Sequence, residues 1–182
     1  MLNYFLRFGV YILGAILAIT IINLAIHTKA SSLRANELAE PYTYTSVKDQ
    51  QRQLLCMTQN IYYEAASEPP EGKLAVAQIV MNRVESGRFG DSPCQVIFQK
   101  NIVYTKVICQ FSWYCENAAD HKVIRKDLWH ESADAAKVVL IEGFRLPSLK
   151  NALYYHADYV QPGWNKEKVI QIGHHIFYGD KS

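Results

Sequence analysis

Apolar residues follow three patterns along this chain. From Phe8 to Ile26 they run without a charged residue, nineteen positions in all. At about 1.5 Å rise per residue a helix of that length reaches roughly 28 Å, close to the roughly 30 Å hydrocarbon layer of a bilayer. A secretory signal has a shorter apolar region, about 7–15 residues, and a small-x-small cleavage site. Thr28-Lys29-Ala30 is only a weak version of such a site. Residues 1–28 therefore read as an N-terminal membrane anchor, with a cleaved signal segment as the alternative. Arg7 on one side faces Lys29 and Arg34 on the other, diluted by Glu37 and Glu40, so positive charge does not fix the orientation. Residues 29–48 lack periodicity around Ser31, Ser32 and the run Pro41 to Ser46 and read as a linker.

The second pattern is helical. Leu54, Met57 and Ile61 recur at three- and four-residue steps in a helix predicted over Leu54–Ala66, ending near Ser67, where Pro69-Pro70 forces a break. Glu71-Gly72 opens a second helix carrying Leu74, Ala75, Gln78, Ile79 and Asn82, ended by Gly87 and Gly90. Ser92-Pro93 predicts a capped short helix through Phe98. Asp127 to Glu142 predicts a third long helix closed by Gly143. After Pro147 the third pattern begins: Ala152–His156, Lys168–Ile172 and His175–Tyr178 read as strands, with Gly173-His174 as a turn. Helices first and strands last predict an α+β domain over residues 49–182, mainly helical with a small C-terminal antiparallel sheet, preceded by one transmembrane helix.

Composition narrows the function classes. The net charge of +2 and the absence of a long basic run give no sign of nucleic-acid binding. Cys56, Cys94, Cys109 and Cys115 form an even set with no CxxC spacing. Two disulfides in an oxidising compartment are the economical reading, against four free thiols in the cytoplasm. Three connectivities are possible, and Cys56–Cys94 with Cys109–Cys115 is the pairing expected. The soluble part is thus expected outside the cytoplasm.

Glu64 carries the sharpest chemical signal. It continues the stripe of Leu54, Met57 and Ile61 on one helix face. A carboxylate at the edge of an apolar face loses hydration and holds its proton to higher pH, which is what a general acid needs. The competing reading is a structural ion pair with a nearby Lys or Arg. His156, His174 and His175 with Asp158 raise a metal site, but no His-Glu-x-x-His helix is present, and adjacent His174 and His175 would face opposite sides of a strand. No metal or other cofactor is expected.

The run Asn60 to Pro69 (NIYYEAASEP), with Glu71-Gly72, Ala75–Gln78 and Asn82–Val84, resembles the spore cortex-lytic (SleB-like) cell-wall hydrolase family. The resemblance continues in Cys94–Gln99 and Cys109–Trp113. It ends in Ala152-x-x-Tyr155-His156-Ala157, Val160-x-Pro162-x-Trp164 and Ile172-Gly173-x-His175-x-Phe177-Tyr178, so it spans nearly all of the soluble part. It implies a lysozyme-like fold acting on peptidoglycan glycan strands, mostly as lytic transglycosylases, with the catalytic glutamate at Glu64. Ala66-Ser67 stand where the family pattern has Arg-Gly, a departure that bears on activity.

One carboxylate can serve both steps of such a reaction, donating a proton to the bridging oxygen and then accepting one from the muramyl hydroxymethyl group. A hydrolytic muramidase would need a second carboxylate. A module that binds the wall without cutting it is the other alternative. The substrate-binding set expected around Glu64 is Glu68, Gln110, Ser112, Tyr155 and His156. Glu68 is placed on the Glu64 face, where a like charge would raise the acid's pKa, or else against the next helix. Gln110 and Ser112 lie on a loop that Cys109 and Cys115 would pin, and Tyr154, Tyr155, Trp164 and Tyr178 offer ring faces to sugars. Glycan strands and, through the N-terminal helix, the membrane are the expected partners.

Overall fold

The computed structural model describes residues 16–24, 42–116 and 124–181, and the chain divides into two compact units, Met1–Leu38 and Ala39–Ser182. In the first unit residues 16–24 are helical and exposed. Among the described residues no helix is long and apolar enough to cross a membrane. The rest of the expected anchor, residues 1–15 and 25–28, lies outside them, as do residues 29–41 of the expected linker.

In the second unit α1 (Val47–Ala65) is capped by Ser46, whose hydroxyl accepts from the Asp49 N–H. It starts within the stretch expected as linker. Tyr42 and Tyr44 already lean on the core, and the Tyr44 hydroxyl donates to the Leu140 carbonyl at 2.9 Å. Helix α2 (Pro70–Glu85) begins on the second proline itself, where a missing N–H costs nothing. The short α3 (Pro93–Ile97) is capped by Ser92. Next come a hairpin of β1 (Lys100–Val103) and β2 (Lys106–Cys109), then the single turn α4 (Ser112–Cys115). Helix α5 (Lys126–Leu140) and a 3-10 turn at Pro147–Leu149 lead to β3 (Tyr154–Ala157), β4 (Glu167–Ile172) and β5 (His175–Gly179). The last three form an antiparallel sheet in the order β3-β5-β4. The expected mixture of helices and a small C-terminal sheet is present; the β1–β2 hairpin was not foreseen.

Helix α2 is central. Ala75, Val76, Ala77, Ile79, Val80 and Met81 are all buried around its circumference, as expected of a helix covered on every side. One face joins Met57 and Ile61 of α1, Val96 and Ile97 of α3, and Ala136 and Val139 of α5. The other, Ala75 and Ile79, packs with Leu149, Ala152, Ile172 and Phe177 of the sheet side. Its buried polar groups bind the strand approach: Asn82 Nδ2 donates to the Leu149 and Ala152 carbonyls, each at 2.7 Å. Gln78 exchanges hydrogen bonds with the backbone of Leu146. These bonds fix where β3 starts.

Two disulfides close the unit, Cys56–Cys94 and Cys109–Cys115, the pairing expected. The first ties α1 to α3. The second closes the loop that carries α4.

Candidate active site

Glu64 lies one residue from the C-terminal end of α1, partly buried. Across from it the Tyr155 hydroxyl on β3 donates to Glu64 Oε2 at 2.9 Å. Tyr155 alternates with neighbours on β3 and leans on Phe177 and His175 of β5, so the sheet aims the phenol. Around this pair opens a groove of about 650 Å³. Its walls include Arg83 from α2, Gln110 to Trp113 and Glu116 around α4, His156 and His175 from the sheet, and Tyr159 and Trp164 from the β3–β4 connection.

The α4 wall is held at several points. The Cys109–Cys115 bridge closes its ends, and the Gln110 N–H donates to the Gln99 carbonyl at 2.9 Å. Trp113 stacks on Tyr63 with ring centroids 4.7 Å apart, and its indole N–H donates to Asn60 Oδ1 at 3.1 Å. Asn60 and Tyr63, on the same helix as Glu64, thus grip the α4 wall.

Burial lifts the Glu64 carboxyl above the ordinary carboxylate value. The Tyr155 hydrogen bond and the Arg83 charge pull the other way, and the Glu116 charge adds to the rise. Burial and the facing Glu64 push the Tyr155 phenol well above its usual value, so it remains a donor at any working pH. The result is a carboxyl that keeps its proton further toward neutrality than a solvated one, beside a fixed O–H donor.

Of the residues expected at the site, Gln110, Ser112, Tyr155 and His156 line the same groove as Glu64. His156 is held by hydrogen bonds to the Ala157 carbonyl and the Tyr178 hydroxyl, at 2.8 and 2.9 Å. Glu68 is elsewhere. It is buried outside the groove lining, and its Oε2 accepts the His174 N–H of the β4–β5 turn at 3.0 Å. Four residues along α1 would bring the two glutamates to one face, but α1 ends at Ala65, and the chain turns before Glu68 is reached. The like charge felt by Glu64 belongs to Glu116 instead. Glu116 carries no signal in the sequence, Arg83 stands there only inside the Asn82–Val84 motif, and His175 enters only through the family motif and the metal alternative, not as a wall of this groove. Only the tertiary fold brings α2, the end of α4 and β5 to one groove, and no local spacing signals it.

The family model described as Cell Wall Hydrolase matches residues 67–178, a segment that begins just after Glu64. A spore cortex-lytic enzyme of Oceanobacillus iheyensis is 33% identical over 132 residues, 70% of this chain and 41% of that protein. The spore cortex-lytic enzyme of Bacillus subtilis is 30% identical over 123 residues, 66% of this chain and 35% of that protein. The chain thus spans well under half the length of these curated relatives. Among solved structures, the catalytic domain of the Bacillus cereus SleB protein is similar with a TM-score of 0.50 and 26% identity, covering 76% of this chain and 94% of that one. The catalytic domain of the germination-specific lytic transglycosylase SleB from Bacillus anthracis gives a TM-score of 0.52 and 25% identity, covering 76% and 99%. With a family model matching well over half of its length, the chain belongs to the cell wall hydrolase family.

Proposed function

We propose that this protein cleaves peptidoglycan glycan strands as a lytic transglycosylase, between N-acetylmuramic acid and N-acetylglucosamine, with Glu64 as acid and then base. The observation that carries the proposal is the half-buried Glu64 carboxyl, its pKa raised, facing the Tyr155 hydroxyl in an open groove. Protonated Glu64 donates to the bridging oxygen as positive charge develops at the muramyl C1. The carboxylate left behind then takes the proton of the muramyl C6 hydroxyl, whose oxygen closes on C1 to form an anhydro ring. Tyr155 donates to that carboxylate throughout. Gln110, Ser112 and His156 are assigned to substrate binding along the groove walls, and the exposed rings of Tyr159 and Trp164 suit the faces of flanking sugars. The lytic transglycosylase named among the similar structures supports this reading, as does the lysozyme-like character implied by the sequence motifs.

A hydrolytic outcome has one observation in its favour. Glu116 offers a second carboxylate in the same groove, and two-carboxylate glycosidases use such a group to guide water or trap the sugar.

We further assign residues 1–28 to a membrane anchor that holds the folded unit outside the cytoplasmic membrane, supported by the uncharged run from Phe8 to Ile26 and by two disulfides. Alkaline carbonate extraction of membranes from a bacterium expressing the full chain tests this. Release into the supernatant overturns the anchor.

The oxidised full chain, incubated with purified peptidoglycan beside Glu64→Gln, tests the activity by mass spectrometry of released fragments. Anhydro-muramyl products absent from the variant are expected. Reducing ends would move the reaction to hydrolysis and make Glu116→Gln the next variant. Binding without cleavage by either protein would leave a wall-binding module.

A further inference from the structure

Glycan cleavage by Glu64 and Tyr155 leaves one buried charge in the groove without a task. Arg83 is 5% exposed. Its Nε donates to the Leu153 carbonyl at 2.8 Å, and its guanidinium carbon sits 5.2 Å from the ring centroids of both Phe89 and Phe111. Its Nη1 is buried with no hydrogen-bond partner among the described residues. A guanidinium held out of water with an unused donor is costly, and the packing around it fixes it rather than letting it escape to solvent.

We propose that Arg83 is a positioning residue for proton transfer by Glu64, acting through two routes that rest on the cleavage reading above. The first is mechanical. Leu153 lies two residues before Tyr155, so the Nε bond to its carbonyl sets the entry of β3 and with it the reach of the Tyr155 hydroxyl to Glu64. The second is electrostatic. When Glu64 gives its proton to the bridging oxygen, the C1–O bond breaks with its electron pair going to that oxygen, and a bare carboxylate is left in a poorly hydrated pocket. Arg83 lines that pocket and supplies fixed positive charge, so the carboxylate persists until the C6 hydroxyl proton returns to it. Arg83 itself neither gains nor loses a proton.

The other groups facing Glu64 do not supply this charge. Tyr155 stays neutral, and burial holds His175 below the usual histidine value, so its imidazole is uncharged near neutral pH. His156 is engaged with Ala157 and Tyr178. Tyr63, on the same helix, is a ring stacked on Trp113. Glu116 acts in the opposite sense, and none of the groove-lining residues comes from α5.

Carbon-13 NMR titration of the Glu64 carboxyl in the full chain, assigned through Glu64→Gln, tests the inference alongside the pH dependence of kcat/KM on glycan fragments. In Arg83→Met the Glu64 titration moves to higher pH, the alkaline limb of the activity profile moves with it, and kcat falls about tenfold or more. Arg83→Lys keeps the charge and restores most of both. Glu116→Gln moves the titration to lower pH. Arg83→Gln reads the same loss of charge if the Met variant does not fold. An unmoved Glu64 titration in folded, charge-neutral Arg83 variants overturns the role of Arg83 even if cleavage is normal. A shifted titration in a chain that cuts no glycan leaves Arg83 coupled to Glu64 and overturns the cleavage reading alone.

Discussion

At the scale of single residues the site is an arrangement of opposing influences on one carboxyl. Burial raises the Glu64 pKa, and the Tyr155 donor and the Arg83 charge restrain the rise. Losing the donor in Tyr155→Phe should therefore move the alkaline limb of the activity profile upward while lowering kcat, as a side-by-side pH series would record. Stability follows from the same shift. Below the ordinary carboxylate value Glu64 is protonated in folded and unfolded chains alike. As pH rises past that value the unfolded chain loses the proton first, so stability falls until the folded group titrates too. Glu64→Gln removes that fall. Its melting temperature should exceed that of the parent near neutral pH and match it in acid; a gain that shrinks as pH rises would contradict the assignment. The position of Glu64 on an apolar stripe made its raised pKa legible in the sequence. Arg83 was not legible, because its partners are a carbonyl seventy positions away and rings on two other segments.

Among the elements, those with local signals were readable. The proline pair, the Ser92 cap and Gly143 marked helix ends close to where they fall, and the strand runs after Pro147 gave the C-terminal sheet. The β1–β2 hairpin was not readable, because its turn is made by Tyr104 and Thr105 at φ 46° and 70° rather than by the glycine or asparagine that usually marks such a turn. Neither were the first two turns of α1, ahead of Leu54, and the aromatic contacts of Tyr42 and Tyr44, since a stretch without periodicity can still pack by individual rings. The two disulfides have separable effects. Cys56–Cys94 closes a separation of 38 residues between helices of the core, and replacing it with serines should cost about 3–4 kcal/mol in denaturant titration. Cys109–Cys115 closes a separation of six and holds Gln110 and Ser112 in the groove wall. Its removal should cost less stability, about 2 kcal/mol or below, and proportionally more activity. Equal losses of both in the two variants would show that the α4 wall needs no pin.

For the molecule as a whole, every groove-lining residue lies in the unit from Ala39 onward. A chain beginning at Ala39 should melt at the temperature of the full chain and cut soluble glycan fragments at the same rate, while no longer sedimenting with membranes. A lower melting point by circular dichroism would show that the first unit contributes to the fold. Within the second unit the turn between α1 and α2 is locked from three directions. Lys73 Nζ donates to the Glu68 carbonyl at 2.6 Å and pairs with Glu131 of α5 at 3.0 Å, while the Glu68 carboxylate takes the His174 N–H. At Gly173, with φ at +57°, a Cβ would fall inside the Glu68 oxygen. Gly173→Ala should thus destabilise by about 3 kcal/mol, through backbone strain and overlap together. The variant would also lose turnover while every groove-lining side chain stayed as it was. The missing side chain at Gly173 therefore lets the β4–β5 turn close on Glu68 two residues before the groove-lining His175, so the site is adjusted from a position that is not one of its walls.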